Sequence, residues 1–196
     1  MSALPHSSTN AQGLSTEDRP LDTAAFTDLG NRIIKVDHAG EQGAVCIYTG
    51  QIFFARLTAP ALVAELREFR THEMRHREIF RLELQRRQHP RCRSYWLCGA
   101  GGLLLGLITG LFGAKAIAAT TVAVESVVLR HLEEQLAQLE PTDPSAAAAI
   151  AAIVSDERDH HDRSAIHARA GKFWSKVLAR VVSASTEAVI WLGMRL

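Results

Sequence analysis

A chain of 196 residues is long enough to bury one sizeable core and too short to expect two domains. With 47% hydrophobic residues, 22% charged residues and a formal net charge of +1, it lies on the apolar side for a soluble protein, and its bulk charge points to no nucleic-acid partner. The three cysteines, Cys46, Cys92 and Cys98, have no zinc-like spacing and read as reduced thiols of a cytosolic protein.

Residues 1–24, rich in Ser, Thr, Pro and Gly, are predicted to be a disordered tail ahead of a single domain over 25–196. The tail has no apolar core for a secretory signal. Glu17, Asp18 and Asp22 against the single Arg19 make a poor transit peptide, which points to a bacterial cytoplasmic setting. Apolar residues at helical spacing (Leu29, Ile33, Ile34, Val45, Ile47, Ile52, Phe53) predict a helix over 26–57. A second is predicted from Pro60 to Arg87, where His89-Pro90 ends it. Nine arginines between Arg67 and Arg93 face only four glutamates. They make either a solvated face of Glu–Arg pairs or a basic face beside an anionic membrane.

The 21 residues of 94–114 hold no charge, and they include Gly102, Gly106 and Gly110 at four-residue spacing. A third helix is predicted over 117–139, stopping at Glu140-Pro141. A fourth opens at Asp143-Pro144, with Asp143 as N-cap and Pro144 at the first helical position, and runs to Ala170 with Gly171 at its end. An amphipathic helix over 173–192 closes the chain. Strand signals are scarce, so the fold class is all-α.

Two Glu-x-x-His units stand in this frame, Glu73-Met-Arg-His76 and Glu157-Arg-Asp-His160. Residues three apart lie one turn above each other on a helix, so both side chains of a unit can reach one metal centre. Glu41 lies 32 residues before Glu73, and Glu125 lies 32 residues before Glu157. That distance is a helix up, a turn and a helix back, which brings each pair to one level of a hairpin. Two such hairpins face to face put Glu41, Glu73, His76, Glu125, Glu157 and His160 in one core, the donor set of a di-iron or di-manganese carboxylate site. Four inward carboxylates require cations. The small neighbours of Glu41 and the apolar neighbours of Glu125 argue against exposed positions for either. Asp156, next to Glu157, is placed to accept a hydrogen bond from a ligating imidazole and fix its tautomer. A rival reading is His72-Glu-Met-Arg-His76 as a zincin HExxH with His72 as ligand. It leaves Glu41, Glu125 and the second half of the chain unexplained.

The stretches Arg32-Ile-Ile-Lys-Val-Asp-His-Ala-Gly-Glu-Gln-Gly-Ala44, Thr121-Val-Ala-Val-Glu125 and Asp156-Glu-Arg-Asp-His-His-Asp162 resemble the demethoxyubiquinone hydroxylase family of ubiquinone biosynthesis. The likeness covers about residues 30–196. It implies a ferritin-like four-helix bundle and a membrane-associated di-iron monooxygenase that hydroxylates the ring of a demethoxyubiquinol with O2. The family's ligand pattern falls on the same six residues and implies two Fe ions per chain, with Glu73 and Glu157 bridging and Glu41 and Glu125 terminal. Gln42 and Ser126 depart from residues often found in the family (Tyr and Glu), neither at a ligand position. No nucleotide-binding Gly-rich loop is present, so reducing equivalents come from outside or from the quinol.

The uncharged segment has the length of a membrane span, yet a span there would put the two halves of the metal site on opposite sides of the bilayer. Its place suits the long crossover between helices two and three of such bundles, and its six glycines lower helix propensity. It is therefore expected to be an apolar crossover over 94–116 that dips into the lipid interface. Trp96, Trp174 and Trp191 would be interfacial anchors. A crossover buried in a protein interface is the alternative. The expected setting is the cytoplasmic face of the bacterial inner membrane, peripheral or interfacial. A polyprenyl quinol and O2 are the expected reactants, and a homo-oligomer or partner proteins of quinone biosynthesis are compatible with the reading. Two rival classes are another ferritin-like di-iron protein (a rubrerythrin-type peroxidase or a tRNA hydroxylase) and a non-enzymatic membrane-associated bundle.

Overall fold

A computed structural model describes residues 26–168 and 172–195, apart from the side chains of 172–179. The expectations for the tail over 1–24, for Gly171 and for the Trp174 anchor lie outside the described residues. Helix α1 spans Asp28–Thr58, and a 3-10 turn at Pro60–Leu62 leads into α2, Val63–Arg86. Then follow α3 (Tyr95–Leu111), α4 (Ala114–Leu139), α5 (Pro144–Ala151), α6 (Val154–Ala168) and α7 (Lys172–Gly193). No strand occurs among the described residues, and the fold is an all-α, ferritin-like bundle.

Helix α1 runs beside α2 and α4 beside α6, while α3 lies along α1 and α7 along α4. Thr27 caps α1 by accepting the Gly30 N–H, and Asp143 caps α5 by accepting the Ala146 N–H. The predicted fourth helix is two helices. The Ile153 N–H reaches back three residues to the Ile150 carbonyl, a tightened turn that interrupts the ladder between α5 and α6.

Two of the core's apolar clusters lie on either side of a polar layer. One cluster gathers Ile33, Ile34, Phe80, Leu84, Leu132, Leu139, Ile150 and Ile153. The other gathers Tyr48, Ile52, Leu62, Leu66, Phe69 and Ile117. Along α1, α2 and α4 the residues between these clusters are Glu41, Glu73 with His76, and Glu125. Apolar packing thus fixes both ends of each helix and delivers its charged residues to one level.

The uncharged segment is helical despite its glycines, because they serve packing. A Cβ on Gly102 would sit 2.3 Å from the Gly43 carbonyl oxygen, and one on Gly106 would sit 2.1 Å from that of Ile47. Backbone-to-backbone approach of this kind is what small residues at four-residue spacing permit. Among the described residues no helix is long and apolar enough to cross a membrane.

A buried ion pair ties the ends of the bundle together. Arg87 donates to both oxygens of Asp143 (2.8 and 2.7 Å) and to Glu83 Oε1 at 2.7 Å, while Asp143 also accepts the Thr27 N–H. Arg87→Met leaves Asp143 buried without its cation, while Glu83 keeps Arg86, and is expected to cost about 3–5 kcal/mol in urea denaturation, the usual penalty for removing one partner of a buried pair. Burial alone would raise the Asp143 carboxyl, but Arg87 and the two N–H donors hold it at about 2 against an ordinary value of 3.8. Its contribution is therefore complete above pH 4 and is lost as pH falls toward 2, so acid unfolding of the variant should lack this step.

Candidate metal centre

Each functional side chain is delivered by a different helix. Glu41 comes from α1, Glu73 and His76 from α2, Glu125 from α4, and Glu157 and His160 from α6. All six are buried, His76 and His160 completely. The donor atoms fall into two sets, each within 4.8 Å: Glu41, Glu73, His76 and Glu157, then Glu73, Glu125, Glu157 and His160. Glu73 and Glu157 are common to both sets.

The contacts cross between the halves. His76 Nδ1 lies 2.8 Å from Glu157 Oε1, and His160 Nδ1 lies 3.0 Å from Glu73 Oε1. None of these four atoms makes a hydrogen bond. Two inward imidazole nitrogens and two carboxylate oxygens, buried and unbonded at these distances, are the arrangement a cation would complete. Among the described residues the ion pairs of Glu41, Glu73 and Glu157 are with the two histidines, and none is with Lys or Arg. Burial first, and then the charges of Glu73 and Glu157, push the Glu41 and Glu125 carboxyls well above the usual range. Burial opposes charge on the two histidines but is outweighed by Glu157 and Glu73, which lift His76 to about 10 and His160 to about 9. The cluster takes up protons where it lacks metal cations, so the donor set fits a metal ion by both geometry and charge.

The outer nitrogens complete the pattern. His76 Nε2 lies 2.9 Å from Asp156 Oδ2, an oxygen that also receives Arg75. His160 Nε2 lies 3.1 Å from His72 Nδ1. Asp156 precedes Glu157 and His72 precedes Glu73, so each half supplies the residue that backs the other half's imidazole. Once a metal ion takes each inward Nδ1, each Nε2 would carry the proton and donate outward. His72 is absent from both donor sets, which removes the zincin arrangement. Sequence reading treats His72 as merely adjacent; the shared offset of one residue before each Glu-x-x-His is the signal that could have found it.

Two further residues have no sequence signal. Tyr48 donates to Glu125 Oε1 at 3.1 Å across 77 residues of chain. Asp37, one turn before Glu41, accepts from Gln135 Nε2 at 3.1 Å. Gln42 accepts from Arg77 and from the Tyr95 hydroxyl, tying the start of α3 to α1 and α2. Ser126 is exposed and donates back along its own helix, to the Val122 carbonyl.

A cavity of about 440 Å³ opens on the cluster between α1, α3, α4 and α7. Glu41, Glu73, Glu125 and Glu157 line its inner end. Val36, Leu105, Val124, Val128, Leu132 and Ile190 are among its walls, so it is overwhelmingly apolar. His131, also on its wall, meets Glu187 of α7 at 2.9 Å.

A family model described as "Ubiquinone biosynthesis protein COQ7" matches residues 28–193. The chain is 34% identical over 169 residues to the NADPH-dependent 3-demethoxyubiquinone 3-hydroxylase of Dictyostelium discoideum, covering 84% of this chain and 76% of that one. It is 31% identical over 188 residues to the 3-demethoxyubiquinol 3-hydroxylase of Rhodospirillum rubrum, covering 95% and 88%. The human NADPH-dependent 3-demethoxyubiquinone 3-hydroxylase is 32% identical over 171 residues, covering 85% and 77%.

Proposed function

The chain belongs to the COQ7 family of ubiquinone biosynthesis proteins, and from that membership we propose that it is a di-iron monooxygenase using O2 to hydroxylate the ring of a demethoxyubiquinol. The observation that supports this best is the junction of two donor sets, sharing Glu73 and Glu157, with an apolar cavity large enough for a substituted ring. Glu41 and His76 would complete one iron position, Glu125 and His160 the other, and Glu73 and Glu157 would bridge. Iron bound there supplies the activation of O2, which no side chain can perform.

The chain's own residues do the rest. Asp156 and His72 hold the two imidazoles in one tautomer and orientation. The Tyr48 hydroxyl steadies Glu125. Apolar walls keep water from the ring carbon that is to be hydroxylated. One oxygen atom enters the ring C–H bond and the other leaves as water, with two electrons and two protons from outside the chain. The relatives named as NADPH-dependent make a reduced nicotinamide the reductant to supply.

The cavity's walls α3 and α7 also bear exposed apolar side chains: Trp96, Leu103, Leu104, Ile108 and Leu111 on α3, and Val181 and Trp191 on α7. Arg91 stacks over Trp96 and Arg195 over Trp191, an aromatic-cation pairing suited to a headgroup region. A polyprenyl chain would reach the cavity from lipid along this face. Trp96→Glu with Leu104→Glu is expected to cut cosedimentation with anionic phospholipid vesicles by about tenfold or more, each side chain being worth about 1.5–3 kcal/mol when buried. Iron content should not change.

Elemental analysis and complementation test the whole reading. Two irons per chain are expected, together with restored ubiquinone in a strain that accumulates demethoxyubiquinone. A chain without iron would sink the metal assignment; iron without restoration would sink the substrate.

A further inference from the structure

The two donor sets match in kind: each has one glutamate and one imidazole of its own, and both share Glu73 and Glu157. They differ in what stands behind those ligands. His76 Nε2 lies 2.9 Å from Asp156 Oδ2, a carboxylate oxygen that Arg75 also holds. His160 Nε2 lies 3.1 Å from His72 Nδ1, which can accept a proton only as a neutral ring. The unshared glutamates differ in the same sense. Glu125 Oε1 accepts the Tyr48 hydroxyl at 3.1 Å, whereas among the described residues no hydroxyl is bonded to Glu41.

A ligating imidazole that donates to a carboxylate is a stronger electron donor than one that donates to a neutral ring, and a hydroxyl bonded to a ligating carboxylate draws charge out of it. Both differences favour a cation beside His76 over one beside His160. Arg75 offsets part of the Asp156 charge, but its guanidinium is 58% exposed and screened by water, whereas His76 is buried. We infer that the two metal positions are unequal: Asp156, acting through His76, makes the Glu41/His76 position the tight one that fills first, and the Glu125/His160 position is the exchangeable one. This rests on the metal reading of the cluster and not on the choice of substrate. Asp156 is thus a positioning residue that sets affinity as well as tautomer.

The test is anaerobic titration of ferrous ion into the metal-free full chain against a competing chelator, with variants that keep one position each. Glu125→Ala keeps the Glu41/His76 position and Glu41→Ala keeps the other. The first should bind ferrous ion about 10–100-fold more tightly than the second, the range over which partners of ligating histidines change affinity. Adding Asp156→Asn, which keeps an acceptor of the same size without the charge, should remove that advantage. Adding His72→Asp to the Glu41→Ala chain should confer it, a gain that a merely structural role for Asp156 does not predict. Where a single-position variant does not fold, the full donor set decides. Asp156→Asn alone should weaken the first of two binding steps by about 10–100-fold, and His72→Ala should leave that step within about twofold of the wild type. Equal or reversed affinities of the two positions overturn the inference, as does an equal loss from Asp156→Asn and His72→Ala. A wild-type chain that takes up no ferrous ion overturns it together with the metal reading. No quinol is present, so a failure of the substrate reading does not touch the result.

Discussion

Replacing Glu157 with alanine should empty both metal positions at once and lower hydroxylation beyond about 1000-fold, since changes one shell further out already cost about 10–100-fold. The expectation follows from the sharing of donors: Glu157 belongs to both sets, and its Oε1 lies 2.8 Å from His76 Nδ1. Glu125→Ala is the informative companion. Glu125 belongs to one set only, so that variant should keep the ion held with Glu41 and His76 and lose the other. Elemental analysis then reads near zero for the first variant and about half of the wild-type content for the second. Loading should also release protons. Near pH 7 the metal-free centre holds them on His76 and His160, lifted to about 10 and 9, and burial beside Glu73 and Glu157 shifts Glu41 and Glu125 in the same direction. Ions must displace these protons, so affinity rises with pH, by about tenfold per unit for each proton released. A weakly buffered titration with an indicator dye measures it, and a pH-independent affinity would contradict the assignment of these groups.

The level of the site is legible in the sequence because a helical hairpin converts a fixed offset into a shared height. Glu41 with Glu73 and Glu125 with Glu157 therefore announce themselves, and the apolar residues on either side of each announce the two clusters that hold them. What escapes is whatever depends on contacts between hairpins. His72 looks like half of a zincin motif until α6 brings His160 to its Nδ1. Asp37 is one more polar residue on α1 until Gln135, 98 residues away, takes one of its oxygens and leaves the other. Tyr48 belongs by pattern to the apolar stripe, and only its hydroxyl tells otherwise. The glycines of α3 mislead in a different way. Propensity counts them against a helix, whereas the structure uses them where a side chain would collide with α1.

That use of glycine gives the second large expected effect, and it separates packing from propensity within one helix. A Cβ on Gly106 would stand 2.1 Å from the Ile47 carbonyl oxygen, too close for any real contact, and backbone cannot swing aside as a side chain can. Gly106→Ala should therefore push α3 off α1 and cost about 1–3 kcal/mol, as overpacking does. Gly102→Ala, 2.3 Å from the Gly43 carbonyl oxygen, should behave alike, and the double variant should lose close to the sum unless one shift of α3 relieves both. Gly101 is the control: a Cβ there meets nothing within 4 Å. Gly101→Ala should stabilise the chain by about 0.5–1 kcal/mol through helix propensity alone. Chemical denaturation of the three variants decides the matter, because propensity predicts that all three alanines stabilise, whereas close approach predicts opposite signs. The result bears on function as well as on fold. Gly102 and Leu105 are part of the cavity wall, so a displaced α3 widens the space in which the ring must be held. Hydroxylation by Gly106→Ala should then lose coupling to O2 consumption before it loses iron, since Glu41 and Glu73 are held by α1 and α2 rather than by α3.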